Sequence, residues 1–533
     1  MRSILSLLLL LAAAAVRAER ILLVPLDSRP AAGQFAQLIG KIDGVEVRMP
    51  TYEALGRFTT QGNPDKILDW LEDQNLKDVS AMVVSTDMIC YGGLIASRVY
   101  DVSPIVASRR LERLVELKKK NPHIKLYLFS ATMRLTPTAT RRASKIRLKI
   151  AQYEVCKDMA ERAGDLDAKV QLEALRRKIP KADIEQYEKT RKRDHTIQRQ
   201  LVEMTRESAI DFLVIGQDDA QPFGPHVAET AELRHLVRQS DLNWKVYFCE
   251  GVDQDSSVLL SRALLKEASW TPRVRIVYSD EAGKNLHANF ESIKIEESLS
   301  EQLLASGARP VGPDGIYDYT LYLNTPKRRE APFHEFLEQL KSDLNKDLPV
   351  AVADINLAQD GTADPDLFNA LWEQGRMLNL LSYAGWNTAG NTIGTSIPAA
   401  NVYLLARRSK VDPLIREVAQ REFLIHRFVN DYAYHKFTRY SAYQLIEPDH
   451  HEEIYGDEWD EVNTYVSRDL IKRLRLFFDQ GFLNRTFAAG DSQYKFVGLD
   501  SPKAWLPWPR PYEVRLEFHL EVAPEPEKSL RER

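Results

Sequence analysis

Cysteine is nearly absent: Cys90, Cys156 and Cys249 are the only three in 533 residues, odd in number and widely spaced. So sparse a set makes no disulfide framework and leaves room for one pair at most. Without a CxxC or a close Cys/His cluster it also gives no structural zinc site. Histidine is scarce too. Its one cluster, His450-His451-Glu452-Glu453, reads as a surface feature, because adjacent histidines do not share a helix face as those of HExxH do. No GxSxG elbow singles out a serine nucleophile, and GxxxxGK[ST] and GxGxxG are both missing from strand-to-helix junctions, which demotes nucleotide chemistry. Neither charge sign dominates, with 72 basic against 76 acidic residues, and no Lys/Arg tract is interleaved with aromatics. Nucleic acid is therefore not an expected partner.

What is present begins with a short apolar stretch. Arg2 precedes an apolar and small-residue run over 4–16, which closes on Val16-Arg17-Ala18 before Glu19-Arg20. A positive start, a short apolar segment and small residues before the cleavage point predict a signal peptide over 1–18. A membrane anchor needs ~20 apolar residues, and no later run approaches that length, so no membrane span is expected after cleavage. The expected location is periplasmic or secreted.

Unalternating apolar runs rich in Val, Ile, Leu, Tyr and Phe recur between helical stretches, as strands buried on both faces do. They predict strands over 21–26, 45–48, 81–85, 125–130, 212–216, 245–249, 274–278, 317–323, 350–354 and 380–385, with a last one over 402–406. This is the rhythm of an α/β fold with a mostly parallel sheet. A (β/α) barrel-like core is favoured over paired doubly wound sheets. The core spans 19–408, with a helical insertion at about 138–210 whose dense mixed charge, Arg191, Lys192 and Arg193 included, reads as a solvated helix face. A helical, aromatic C-terminal lobe follows over 409–523, and a charged, Pro-containing disordered tail over 524–533.

In parallel α/β folds ligands bind beyond the carboxyl ends of the strands. The residues delivered there are Asp27 with Arg29, Asp87, Arg134, Asp218-Asp219, Glu250 with Asp253, Asp354, and Trp386-Asn387. Asp218 and Asp219 carry the chemistry. Adjacent carboxylates in a dry pocket repel, so one becomes a general acid while its neighbour stays ionised as base or stabiliser. Tyr91-Gly92-Gly93, followed by Arg98, places two glycines where backbone must approach a ligand or take a positive φ. The 382–395 segment combines Trp386, Asn387 and Asn391 with spaced glycines and threonines, a loop suited to sugar recognition through aromatic stacking and amide hydrogen bonds.

These segments together resemble the bacterial family known as domain of unknown function 4127. The resemblance rests on Leu23-Val24-Pro25-Leu26-Asp27-Ser28-Arg29-Pro30, Ser85-Thr86-Asp87-Met88, Tyr91-Gly92-Gly93-Leu94-Ile95-Ala96-Ser97-Arg98 and Met133-Arg134. It continues through Gly216-Gln217-Asp218-Asp219-Ala220, Asp354-Ile355, Tyr383-Ala384-Gly385-Trp386-Asn387-Thr388-Ala389-Gly390-Asn391 and Trp508-Pro509-Arg510. At Gly251-Val252-Asp253-Gln254 the chain departs from the family's Gly-Ala-Asp-Glu, an amide standing for the acid, so no role is assigned to Gln254. The family name implies no chemistry. A looser likeness of Asp218-Asp219 and Trp386-Asn387 to hexosaminidase-type barrels is one of style alone.

The expectation is an exported carbohydrate-active enzyme that hydrolyses a glycosidic bond, with a carbohydrate or glycoconjugate as partner. Asp218 and Asp219 are catalytic. Asp27, Asp87 and Asp354 orient hydroxyls or tune the pair, Arg29, Arg98 and Arg134 bind a charged substituent or order the carboxylates, and Tyr91, Trp386, Asn387 and Asn391 line the sugar. One alternative is a non-catalytic protein that binds a sugar or cell-wall fragment. The other is a hydrolase holding Mg2+ or Ca2+ on Asp87, Asp218, Asp219 and Asp354; hard oxygen ligands suit those ions, but no spacing points to them, and no cofactor or metal is assigned.

Overall fold

In the computed structural model, which describes residues 20–138, 146–357, 361–451 and 453–525, most of the apolar runs are strands. The expected signal peptide and residues 526–533 of the expected tail lie outside the described residues. In chain order the strands are β1 (Arg20–Val24), β2 (Glu46–Arg48), β3 (Val79–Ser85), β4 (Lys125–Thr132), β5 (Phe212–Gln217), β6 (Val246–Glu250), β7 (Arg273–Tyr278), β8 (Arg309–Val311), β9 (Tyr319–Asn324), β10 (Val350–Asp354), β11 (Ser382–Ala384), β12 (Thr486–Ala489), β13 (Ser492–Trp505) and β14 (Arg515–Pro524).

β1 to β6 form a six-stranded parallel sheet in the order β2-β1-β3-β4-β5-β6, and β7 to β11 a five-stranded parallel one in the order β11-β10-β9-β7-β8. The α/β class with mostly parallel strands is as expected. Central strands such as β5 and β10 are buried along their whole length, so both faces must be covered by helices, and their sequences carry no alternation.

One apolar core joins the two sheets. Ile21, Phe129 and Val214 from the first meet Leu321 and Ala351 from the second across helix Ala389–Arg408, which supplies Ile393 and Ile397. That helix absorbs two sequence expectations. The 402–406 run is helical, because Val402 to Ala406 is buried on nearly all sides and a short buried run cannot be told from a strand by periodicity. Its glycines are contacts between packed elements: a Cβ on Gly390 would lie 2.1 Å from the Glu250 carbonyl oxygen, and one on Gly394 2.2 Å from Gln254 Cγ. Gly390→Ala must push against backbone. It is expected to cost about 1–3 kcal/mol, read as a lowered thermal midpoint, and an unchanged midpoint would mean that the helix slides to make room.

Between β4 and β5 the helical insertion consists of helices Arg147–Arg162, Leu166–Arg176 and Lys181–Arg206. Its charge is not all solvated as expected. Arg191 and Arg193 are buried, Arg191 donating to the Met133 and Arg134 carbonyls and pairing with Glu229, and Arg193 pairing with Asp194. The insertion is thereby tied to the end of β4.

The C-terminal lobe is not purely helical. Helix Pro413–Phe428 runs on through a π-helical stretch, Val429–Thr438, and helix Gly456–Gly481 packs on an antiparallel sheet, β12-β13-β14, absent from the sequence expectation. β14 does alternate, with Leu516, Phe518 and Leu520 facing inward, but β13 is broken by register shifts at Phe496/Gly498 and Asp500/Lys503. Residues 524 and 525, given to the tail, extend this sheet through Pro524 and a Glu525 N–H to the Gln493 carbonyl. The three cysteines are buried and free. Among the described residues no helix is long and apolar enough to cross a membrane.

Candidate active site

A cavity of about 270 Å³ opens at the carboxyl ends of β1, β4, β5 and β6. Arg29, Arg134, Asp218, Asp219 and Asn387, named from the strand ends, line it together with Arg98 from the glycine turn and Asn391 from the 382–395 segment. Neighbouring parallel strands explain the first pairing. Arg134 leaves β4 and Asp219 leaves β5, and backbone bonds from Asp218 N to the Thr132 carbonyl and from Leu135 N to the Asp219 carbonyl fix the two ends side by side. Arg134 then pairs with Asp219.

Arg98 reaches Asp218 from a short helix that follows Gly92 and Gly93, whose φ angles of +94° and +115° make a turn that a side-chained residue would resist. Its Nη1 also donates to Thr138 at 2.9 Å. Arg29 sits between two carboxylates, donating to Asp27 at 2.7 Å and to Asp253 at 2.6 Å, with its guanidinium 4.9 Å over the Trp508 ring. Trp508 donates through Nε1 to Ser28 Oγ at 2.9 Å. Asn387, held at φ +57°, accepts from the Tyr512 hydroxyl at 2.5 Å and donates to Asn391, which itself donates to Gln254.

The two adjacent aspartates differ electrostatically. Burial drives both carboxyls up, but for Asp218 the guanidinium groups of Arg98 and Arg134 and the Asp219 N–H outweigh it and hold the acid below its usual range. For Asp219 burial prevails despite Arg134, helped by the Asp218 charge, and the acid is raised. The Asp219 side chain is 30% exposed against 6% for Asp218, so Asp219 is the one a ligand reaches. Across the cavity burial pushes Asp253 up to about 6 against the pull of Arg29.

Other expected residues stand elsewhere. Asp27 lies behind Arg29. Asp87 is buried with Oδ2 accepting from Ala131 N, and Tyr91 is buried with its ring 3.9 Å from the Arg193 guanidinium. Asp354 is buried against Asn324 and the Asp364 N–H. Trp386 belongs to the core: it meets Phe35 edge-on at 5.4 Å and donates to Thr395, so it offers a sugar no face. Among the described residues no group of three or more His, Cys, Asp or Glu side chains is arranged to hold a metal ion.

The loop between β13 and β14 brings Arg510, Tyr512 and the buried Trp508 to the cavity, the exposed Phe290 ring lines it too, and Arg147 arrives from the helical insertion. Trp508-Pro509-Arg510 stands out in the sequence, but nothing there says which strand end it meets. Removing the Tyr512 hydroxyl in Tyr512→Phe should leave Asn387 without its donor and cost about 1 kcal/mol of stability. Ligand affinity should fall with it, and equal affinity in both proteins would show that Asn387 is placed by its backbone alone.

A family model described as "Protein of unknown function (DUF4127)" matches residues 21–517. No curated protein matches the chain.

Proposed function

The chain belongs to the DUF4127 family, whose description carries no chemistry, and from the cavity itself we propose an exported carbohydrate-active enzyme that hydrolyses a glycosidic bond. What carries this reading is one observation: two adjacent carboxyls line a single pocket in different settings, Asp218 enclosed against Arg98 and Asp219 more open beside Arg134, which favours the charged form of the first and the protonated form of the second. Environments that separate like groups in this way assign an acid and an ionised partner.

Asp219, the more accessible of the two and the one whose carboxyl is raised, gives its proton to the glycosidic oxygen as the bond to the anomeric carbon breaks. Asp218, kept ionised by Arg98, faces the positive charge that develops on the ring. Asp253, ionised above about 6, takes a proton from the water that adds to the anomeric carbon. Solvent returns that proton to Asp219, which restores both groups. Asn387, Asn391 and Tyr512 supply amides and a hydroxyl for sugar hydroxyls, and Phe290 an apolar wall.

A second reading, a sugar-binding protein without turnover, is favoured by the fact that the cavity's aspartates are each already paired with an arginine. Release of reducing ends from a panel of aryl glycosides and polysaccharides decides between them. Turnover that vanishes in the double variant Asp218→Asn/Asp219→Asn supports hydrolysis. No turnover by the wild type, combined with thermal stabilisation by a sugar, leaves the binding protein.

A further inference from the structure

Beside the aspartate cavity lies a second one of about 420 Å³, walled by the helical insertion, that the hydrolytic chemistry does not use. Its lining is mainly apolar: Ile95, Val99, Met133, Pro137, Ile150 and the ring of Tyr187. The two cavities adjoin. Ile95, Arg98, Thr138 and Arg147 line both, so Arg98, which pairs with Asp218, stands at the boundary between them.

We propose that this groove is a subsite for an apolar aglycone, aryl or alkyl, of the substrate whose sugar sits over Asp219. Polarity changes across that boundary. On one side three aspartates and several arginines demand a hydroxyl-rich group; on the other, aliphatic side chains and one aromatic ring make up most of the wall, with Asp183, Gln186 and Thr190 among them, and favour a group that water solvates poorly. A ligand spanning the boundary is polar at one end and apolar at the other, and its junction lies at Arg98, whose partner Asp218 is the acid's neighbour in the chain. Construction of the groove supports the same conclusion. Arg191 fastens the insertion to the carbonyls of Met133 and Arg134, and the Tyr187 hydroxyl donates to the Leu135 carbonyl at 2.9 Å, so the apolar wall is fixed to the end of β4, next to the β5 end that carries the catalytic pair.

The aglycone role rests on the hydrolase reading, whereas the existence of an apolar subsite does not. The test therefore uses binding first. N-Phenyl-1-naphthylamine, an uncharged apolar fluorophore, is titrated into the full-length protein. Val99→Asp and Gln186→Trp are made on partly exposed positions outside the catalytic set, one putting a charge in the groove and the other filling its rim. Saturable one-to-one binding by the wild type, weakened at least tenfold by both variants while their thermal midpoints hold, is the expected result. No saturable binding, or equal binding by wild type and variants, overturns the subsite. If a glycoside is hydrolysed, KM should fall at least tenfold from methyl to octyl or naphthyl aglycone in the wild type and stay level in Val99→Asp; a level wild-type series overturns the aglycone role. Probe binding without any hydrolysis keeps the subsite and sinks the hydrolase alone.

Discussion

Asp219→Asn is expected to abolish turnover, losing about a hundred- to ten-thousand-fold in kcat, the range that a positioned general acid supplies. An amide keeps the shape and leaves Arg134 beside a neutral group, but it has no proton to give at the pH where the enzyme works. The pH profile makes the assignment specific. Asp253 is raised to about 6 and must be ionised to take a proton from water, so kcat should fall as pH drops through about 6. Asp219 is raised by burial and, against the pull of Arg134, by its neighbour's charge, which favours the protonated form that the acid role needs. In Asp253→Asn that acid limb should disappear from the residual rate, while in Asp219→Asn it should remain. An Asp219→Asn protein that turns over like the wild type would remove the acid from the scheme and leave Asp218 and Asp253 without a partner.

Asp431→Asn should destabilise the protein by about 3–5 kcal/mol, the cost of leaving one member of a buried ion pair behind. Asp431 and Arg427 are both fully buried, 3.0 Å apart and one turn from each other along the helix that crosses the second sheet. Burial raises the acid to about 6 and lowers the base to about 10, and neither shift is large enough to discharge the pair at neutral pH. Arg427 also lies 3.7 Å over the Phe35 ring, and the second Asp431 oxygen accepts from Gly385 N in the turn leading to Asn387. Unfolding midpoints of Asp431→Asn, Arg427→Met and Asp431→Leu/Arg427→Met complete the test. The double replacement should recover much of the loss, because it buries no unpaired charge. Three equal midpoints would mean that water or a rearrangement already satisfies the arginine.

Particular residues show which parts of this arrangement were legible in the sequence. Arg134, Asp218 and Asp219 were, because each directly follows a strand whose run of buried side chains marks it, and topology then forces parallel neighbours to present their ends together. Asp354 follows its strand just as closely, yet it is turned to the Asp364 N–H by a partner that lies ten residues on, so position at a strand end was necessary and not sufficient. Trp386 was misread for a related reason. The glycines around it invited a ligand loop, but Gly390 and Gly394 are small because Glu250 and Gln254 press against them, a demand of packing that looks the same in sequence as a demand of binding. Trp508, Arg510 and Tyr512 could not be placed at all from local pattern. They sit on a loop of an antiparallel sheet whose longest strand is irregular, and what they meet is set by tertiary contact alone.

The bond from Trp508 to Ser28 joins residues 480 positions apart. A ribosome delivers Ser28 and Arg29 at the start of synthesis and Trp508 and Tyr512 close to its finish. Both parallel sheets can assemble while the cavity still lacks these two rings, so no growing chain can be steered by its own ligand. A product shortened before residue 508 would lose β14 from the third sheet, with Leu516, Phe518 and Leu520 from its core, together with one side of the cavity.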